Sequence, residues 1–380
     1  MDFSLNDEQR MLEDTVSRLV RERYGFEQRG RYAKEAPGYG AEVWGLLAEL
    51  GLLSVPFSED DGGIGGGGVE LLLLHQAFGR GLTLEPYLAT VVLGGGLLAR
   101  LGSAAQREAI LPDVIGGAAT LALAYAEPDG GYEPLWVGTR AERAGGGWAL
   151  TGAKAVVLHG DSAGKLLVTA RTAGGVDDRD GVSVFLVDPK QAGVSVRGYA
   201  TIDGLRAAEV TLADATGELV GPEGGAADAL EAVLATGCVA LCAEAVGAME
   251  QACELTLEYL KTRQQFGAPI GRNQVLQHRM VDMRIALEQA RSMAILGACS
   301  LELGRDARER RVSAAKALIG AAGRFVAEQA IQMHGGMGMT DEAAVSHYAK
   351  RLVMIDHWLG DGDYHTNRFA EMPEPAEENA

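Results

Sequence analysis

Positive charge is scarce in this 380-residue chain: 34 Lys and Arg stand against 52 Asp and Glu, a net charge of −18. That deficit excludes a non-specific nucleic-acid binder, which needs a basic face to neutralise phosphate. Cysteine is scarce too, with Cys238, Cys242, Cys253 and Cys299 all in helix-like sequence and no paired-loop framework of the secreted kind. Cys238 and Cys242 can share a helix face, but with no His or Asp partner nearby they read as buried thiols rather than as a metal site. A reduced, intracellular and cytoplasmic protein is the expectation. The start, Met1 to Gln9, carries acids where a signal peptide needs cations and an apolar run. The most apolar stretch, Leu71 to Leu101, is broken by His75, Gln76, Arg80, Glu85 and Pro86, which argues against a membrane span. Internal repeats are missing, and the acidic tail Glu371 to Ala380 is expected to fray.

Glycine is what the chain has in excess, with 52 residues, about twice the usual ~7%. The run Gly62-Gly63-Ile64-Gly65-Gly66-Gly67-Gly68 invites a phosphate-loop reading. It lacks the lysine and the serine or threonine of a P-loop, and no strand of dinucleotide type precedes it, so it reads as a flexible turn.

Periodicity divides the rest. Asn6, with Gln9 three residues on, forms a reciprocal N-cap signal, and Met11, Leu12, Val16, Leu19 and Val20 follow at helical spacing. Helical patterns continue through Val43 to Leu52, Gly68 to Phe78 and Pro86 to Leu101. Residues 1–120 therefore read as a helical domain. From Leu121 the texture changes to short β-prone runs: 148–151, 155–158, 166–169, 182–187 and 209–212. Turns rich in Gly and Asp separate them, which predicts an antiparallel β-domain over 121–225. Leu230, Val233, Leu234, Cys238, Leu241, Ala245 and Met249 then form one apolar stripe of a long helix reaching Arg263. Further helices carry Leu276 to Leu287 and Val312 to His334, giving a helical domain over 226–380.

Three segments carry candidate chemistry. Thr262-Arg263-Gln264-Gln265-Phe266-Gly267 ends the long helix, with Gln274 eight residues beyond Phe266. Gln332-Met333-His334-Gly335-Gly336-Met337-Gly338 ends the third helix, and Leu359-Gly360-Asp361-Gly362-Asp363-Tyr364-His365 follows. Singly these read as a basic helix end, a glycine C-cap and an acidic turn. An arginine at a helix end can grip a pyrophosphate, an aromatic beside it can pack on a ring, and a glycine turn lets backbone amides approach phosphate. His159, His334 and His365 lie in these or similar segments, but solvated loop histidines are the commoner case, and none is assigned a catalytic role.

Together, in this order and at these intervals, the segments resemble the acyl-CoA dehydrogenase family, and the likeness covers essentially the whole chain. The resemblance implies an α+β fold with an N-terminal helical domain, a middle antiparallel β-barrel domain and a C-terminal four-helix bundle. It implies FAD as cofactor and an acyl-CoA thioester as substrate, a carboxylate taking the proton next to the carbonyl while a hydride passes to the flavin. Asp361 matches the position of that base, where the family normally has glutamate. The shorter side chain sets the carboxylate about 1.5 Å back, a displacement that can cost roughly a hundredfold in rate. Some relatives place the base on the long helix, at a position occupied here by Gly237.

Arg263, Gln265, Phe266, Gln274, Gln332, Gly335 and Gly336 match the family groups that hold the adenosine diphosphate end of a neighbouring subunit's FAD, and Asp363 is a further candidate in the turn. The flavin-ring side departs from the pattern. Ala126 stands for a threonine that touches the flavin, Val156 for a tryptophan that packs on it, and Leu158 for a hydroxyl residue bonding N5. Cys238 stands where an arginine often lies near the CoA pyrophosphate. An intact half serving the neighbour beside a weakened half of its own resembles the smaller subunit of the heteromeric pimeloyl-CoA and steroid side-chain dehydrogenases. The implied partners are a second dehydrogenase subunit in a heterotetramer, or a homo-oligomer, with electron-transfer flavoprotein as acceptor. The alternatives are a noncatalytic subunit that completes a larger homologue's FAD site, and a flavin oxidase of nitroalkane oxidase type.

Overall fold

The computed structural model describes residues 4–373, so the acidic tail from Glu374 lies outside it. The N-terminal segment is helical: α1 (Asp7–Arg23), α2 (Phe26–Tyr32), α3 (Ala41–Glu49), α4 (Gly68–Gly81), α5 (Gly96–Leu101) and α6 (Ala104–Ile115). Asn6 caps α1 as its sequence predicts, accepting from the Gln9 amide at 2.8 Å while Gln9 Oε1 accepts from the Asn6 amide at 3.1 Å. The middle segment is β1 (Leu121–Ala124), β2 (Arg140–Ala144), β3 (Gly147–Leu158), β4 (Lys165–Arg171), β5 (Val182–Val187), β6 (Val194–Ala200) and β7 (Arg206–Val220). The C-terminal segment is α7 (Ala227–Thr262), a small hairpin of β8 (Gln264–Gln265) and β9 (Ala268–Pro269), then α8 (Gln274–Ala298), α9 (Arg305–His334), α10 (Ala344–His357) and α11 (Gly362–Glu371).

The chain forms two compact units that cut across this linear order. One gathers the residues up to Arg29, Gly67–Thr83 and everything from Cys238; the other holds Gly30–Gly66 and Leu84–Gly237. In the first, α4 meets α7 backbone to backbone. A Cβ on Gly79 would sit 1.9 Å from the Glu244 carbonyl oxygen, and one on Gly247 would sit 1.9 Å from that of Gln76. The two glycines form a reciprocal crossing that any side chain would force apart.

In the second unit β4, β2, β3, β7 and β5 pair in turn and β5 pairs back to β4, closing a barrel, with β1 added beside β4 and β6 beside β7. The expected barrel is present, but it is not wholly antiparallel: β1 and β2 both run parallel to β4. Leu150, Leu166, Val168, Phe185, Val210 and Leu212 fill it, with Trp148 edge-on to Phe185 at 5.4 Å. The runs 148–151 and 155–158 are one strand with bulges, because Gly152 packs against Thr139 instead of turning.

The glycine run 62–68 is not a phosphate cradle. The amides of Gly63, Gly65 and Gly66 are spent on the Ser58, Phe57 and Val55 carbonyls. Helix α7 is long and apolar enough to pass for a membrane span by composition, yet 94% of its most apolar window is buried inside the protein, as in a core helix.

Candidate active site

Asp361 sits on a turn whose shape is imposed from beneath. After α10 the chain passes through Leu359 and Gly360 with φ of +58° and +104°, a left-handed pair that is costly at the leucine. Asp361 then acts as the N-cap of α11, its Oδ1 accepting from the Tyr364 amide at 2.8 Å. A short acid is among the best residues for that duty. Its other carboxylate oxygen has no protein partner among the described residues, and the side chain is half-buried. Asp363 lies exposed in the first turn of α11, where an acid favours the helix dipole.

Three buried groups face the turn. Lys316 on α9 donates to the Asp356 carbonyl at 2.9 Å and to that of Gly360 at 2.6 Å. His365 pairs its Nε2 with the Leu359 carbonyl at 2.9 Å and its Nδ1 with Ser313 Oγ at 3.3 Å, so Nε2 carries the proton and Nδ1 accepts. Cys238 brings its thiol to the same Leu359 oxygen at 3.7 Å. The residue read as a missing cation is thus a wall of the acid's support. Burial, with the Lys316 charge added, drives the His365 pKa down to about 3, and burial lowers that of Lys316. Burial raises Cys238 and Cys242 to about 11 and 12, so both stay thiols. Among the described residues no group of three acids, histidines or cysteines is placed to hold a metal.

At the far end of α7, Phe266 and Gly267 form the two-residue loop of the β8–β9 hairpin, with φ of +56° and +78°. Such a loop wants left-handed residues at both places. Gly267 suits it; Phe266 is strained there and its ring is fully exposed, at 105% relative accessibility. Arg263, one residue before β8, is exposed, and its guanidinium has no protein partner among the described residues. Tyr259, one turn earlier, stacks on His334 at 4.3 Å and donates its hydroxyl to the His334 carbonyl at 3.3 Å. That contact brings the end of α7 against the Gly335–Met339 turn. Gly335 and Gly336 are exposed, and a Cβ on either would meet nothing within 4 Å. Gly335 needs its φ of +63°, whereas Gly336 leaves open space that no other protein atom fills. Gln265, Gln274 and Gln332 are exposed beside these elements.

The barrel places Ala126, Val156 and Leu158 around a buried ion pair. Ala155 donates its amide to the Ala126 carbonyl at 2.9 Å. Between them Lys154 Nζ lies 2.5 Å from Glu127 Oε1 and 2.9 Å from Thr169 Oγ1, while Glu127 also takes the amides of Gly138 and Thr139 at 2.9 and 3.0 Å. Burial lowers the Lys154 pKa to about 8 despite the Glu127 charge. Burial pushes Glu127 up, but Lys154 and Thr139 outweigh it and hold the carboxyl below its ordinary value. Val156 has φ of +53° and is exposed, an outlier for a β-branched residue of the kind that gathers at functional surfaces. Leu158 is buried. None of the three offers a hydroxyl or an aromatic ring.

The loop histidines correct the sequence reading. His159 and His365 are buried and His334 is half-buried against Tyr259, so none is a solvated surface group. The Lys154–Glu127 pair and the Lys316 contacts were missed, since partners 27 and 44 residues apart leave no spacing signal.

Buried neutral histidines set an acid limit. His75 on α4 is driven to about 3 by burial and by Arg351, and His365 to about 3 likewise. Between pH 6.5 and about 3 the unfolded chain binds protons at these sites that the native chain does not, so stability falls as pH falls. Each group contributes about 1.4 kcal/mol per pH unit in that window. Urea midpoints measured from pH 7.5 down to 5 are expected to hold above 6.5 and then drop; a flat series would show that the two imidazoles become protonated in place.

The arrangement defines a class: an α+β protein of helical, barrel and helical segments that carries a turn-borne acid and a separate outward cation, aromatic and glycine group. Family models for the acyl-CoA dehydrogenase N-terminal, middle and C-terminal domains match residues 6–118, 122–215 and 223–372. The chain belongs to the acyl-CoA dehydrogenase family. Acyl-CoA dehydrogenase FadE12 of Mycobacterium tuberculosis is 31% identical over 314 residues, covering 80% of this chain and 81% of that protein. The ChsE4-ChsE5 complex from Mycobacterium tuberculosis superposes with a TM-score of 0.87 at 27% identity, covering 98% of this chain and all of that one. The FAD complex of PigA superposes with a TM-score of 0.88 at 26% identity, covering 97% of this chain and 98% of that one.

Proposed function

We propose that this chain serves FAD-dependent α,β-dehydrogenation of an acyl-CoA as one subunit of a hetero-oligomer. The observation that carries the reading is the outward set of Arg263, Phe266 and Gly336: a cation, a ring and an open glycine with no partner among the described residues. That donor set suits a diphosphate and an adenine brought by another subunit. The ring side of the cofactor fits less well, because Ala126, Val156 and Leu158 supply only apolar surface. Exposed Val275, Val281 and Ile285 along α8, with Met337 and Met339 beside the glycine turn, give apolar area for a second chain to cover. The ChsE4-ChsE5 complex is a relative that pairs two different subunits.

Bound FAD supplies the hydride acceptor for the β-carbon. The protein's part is to take the α-proton, and Asp361 is the group assigned to it. Its capped Oδ1 fixes the carboxylate's direction while the second oxygen is free to accept the proton. An electron-transfer flavoprotein would be the electron acceptor. The specific observation behind the rival reading, a noncatalytic subunit, is that Asp361 already has a structural duty as a helix cap.

Flavin content tests the assembly. Expressed alone, the chain is expected to hold well under one FAD per protomer; co-expressed with a larger homologue, it is expected to yield a yellow complex that loses absorbance when Arg263 is changed to Ala. One tightly held FAD per chain expressed alone, unaffected by Arg263→Ala, would overturn the hetero-oligomer.

A further inference from the structure

Lys316 occupies a place where lysine is costly. Its side chain is fully buried on α9, and among the described residues it forms no ion pair. A buried ammonium normally needs a carboxylate to offset desolvation. Here it spends its donors on two main-chain carbonyls, those of Asp356 and Gly360, which stand on either side of the bend before Asp361. The carbonyl just before Gly360, that of Leu359, is taken by His365, whose ring is oriented by Ser313. Ser313 and Lys316 are three residues apart on α9 and so share a face. One helix face thus reaches the turn by two routes, one direct and one through the imidazole.

What they hold would not hold itself. Leu359 and Gly360 are both left-handed, and a leucine persists there only when its surroundings dictate it. A Cβ at Gly360 would lie 2.4 Å from the Tyr364 ring and 2.6 Å from His365 Nε2, so the turn is also pressed against its own supports. A lysine kept merely to fill volume would be replaced without loss by an unbranched apolar side chain. One that tethers carbonyls would not.

The geometry points to Ser313, Lys316 and His365 as a clamp that fixes the backbone from Asp356 to Asp361 and thereby aims the Asp361 carboxylate, with Lys316 as its principal positioning residue. This rests on the reading of Asp361 as the proton-abstracting acid. The clamp supplies what a short acid requires, a carboxylate whose place is set by the main chain rather than by side-chain reach.

The test is Lys316→Met in the co-expressed holo-complex, with Ser313→Ala as a milder second variant should the first fold poorly. Amide deuterium exchange, which needs no substrate, is expected to quicken at least tenfold over residues 358–365 in Lys316→Met and less in Ser313→Ala, while the interiors of α9 and α10 stay protected. Turnover is read with whichever saturated acyl-CoA, from butanoyl to hexadecanoyl, the complex oxidises fastest. In Lys316→Met, kcat is expected to fall about a hundredfold with KM unchanged. Wild-type exchange in both variants overturns the clamp, and faster exchange with unchanged kcat overturns its positioning role. Asp361→Asn, run alongside, separates the two claims: if that variant keeps full turnover the acid reading fails, while the exchange result still decides the clamp.

Discussion

Asp361→Asn is expected to cut turnover by a factor of about 10²–10⁴, the usual worth of a positioned general base, while leaving thermal stability close to that of the wild type. Asparagine caps a helix as well as aspartate does, so the Tyr364 amide keeps its acceptor. Only the basic oxygen is lost. Asp361→Ala removes both functions and is expected to cost about 1 kcal/mol of stability in addition. The pair separates the capping duty seen at this carboxylate from the proton-abstracting one proposed for it. Steady-state turnover and melting curves on the purified complex decide it. Full activity in Asp361→Asn would make the acid a cap alone and leave the noncatalytic-subunit reading standing.

The turn that carries Asp361 was half legible in the sequence. The acid before a glycine, following the Arg263 and Gln332 segments in order, marked the candidate site, and an aspartate three residues before Tyr364 is a local signal that a capping argument can read. What lay beyond reach was the support, because Lys316, Ser313 and Cys238 come from helices far along the chain. The same contrast runs through the fold. The α1 start was readable because Asn6 and Gln9 bond within four residues. Strands β2 and β6 were not, since β2 reads Arg-Ala-Glu-Arg-Ala with a single buried residue, and β6, an edge strand paired only to β7, alternates over only Val194-Ser195-Val196-Arg197 before Gly198 interrupts it. Gly152 resembled a turn and proved to be a close approach to Thr139. Residue chemistry located the candidate groups; only the folded chain shows which of them lean on one another.

Arg351→Met is expected to destabilise the protein by about 3–5 kcal/mol, the cost of leaving one member of a buried ion pair uncompensated. Arg351 on α10 meets Glu244 on α7 bidentately, at 2.6 and 2.8 Å, with side-chain accessibilities of only 4% and 7%. The carboxylate cannot swing out to water, because Glu244 lies where Gly79 and Gly247 lock α4 against α7. The melting temperature should fall by about 5 °C. The double variant Glu244→Leu with Arg351→Met is expected to recover most of that loss, since a buried pair replaced by apolar groups of similar volume is often neutral. A single variant no less stable than the double would show that water reaches the pair. Helix α10 runs directly into the turn that carries Asp361, and α7 supplies Cys238 beneath it. Loosening their junction is therefore expected to lower turnover as well, by less than Asp361→Asn does, because the clamp at Lys316 still holds the last residues before the acid.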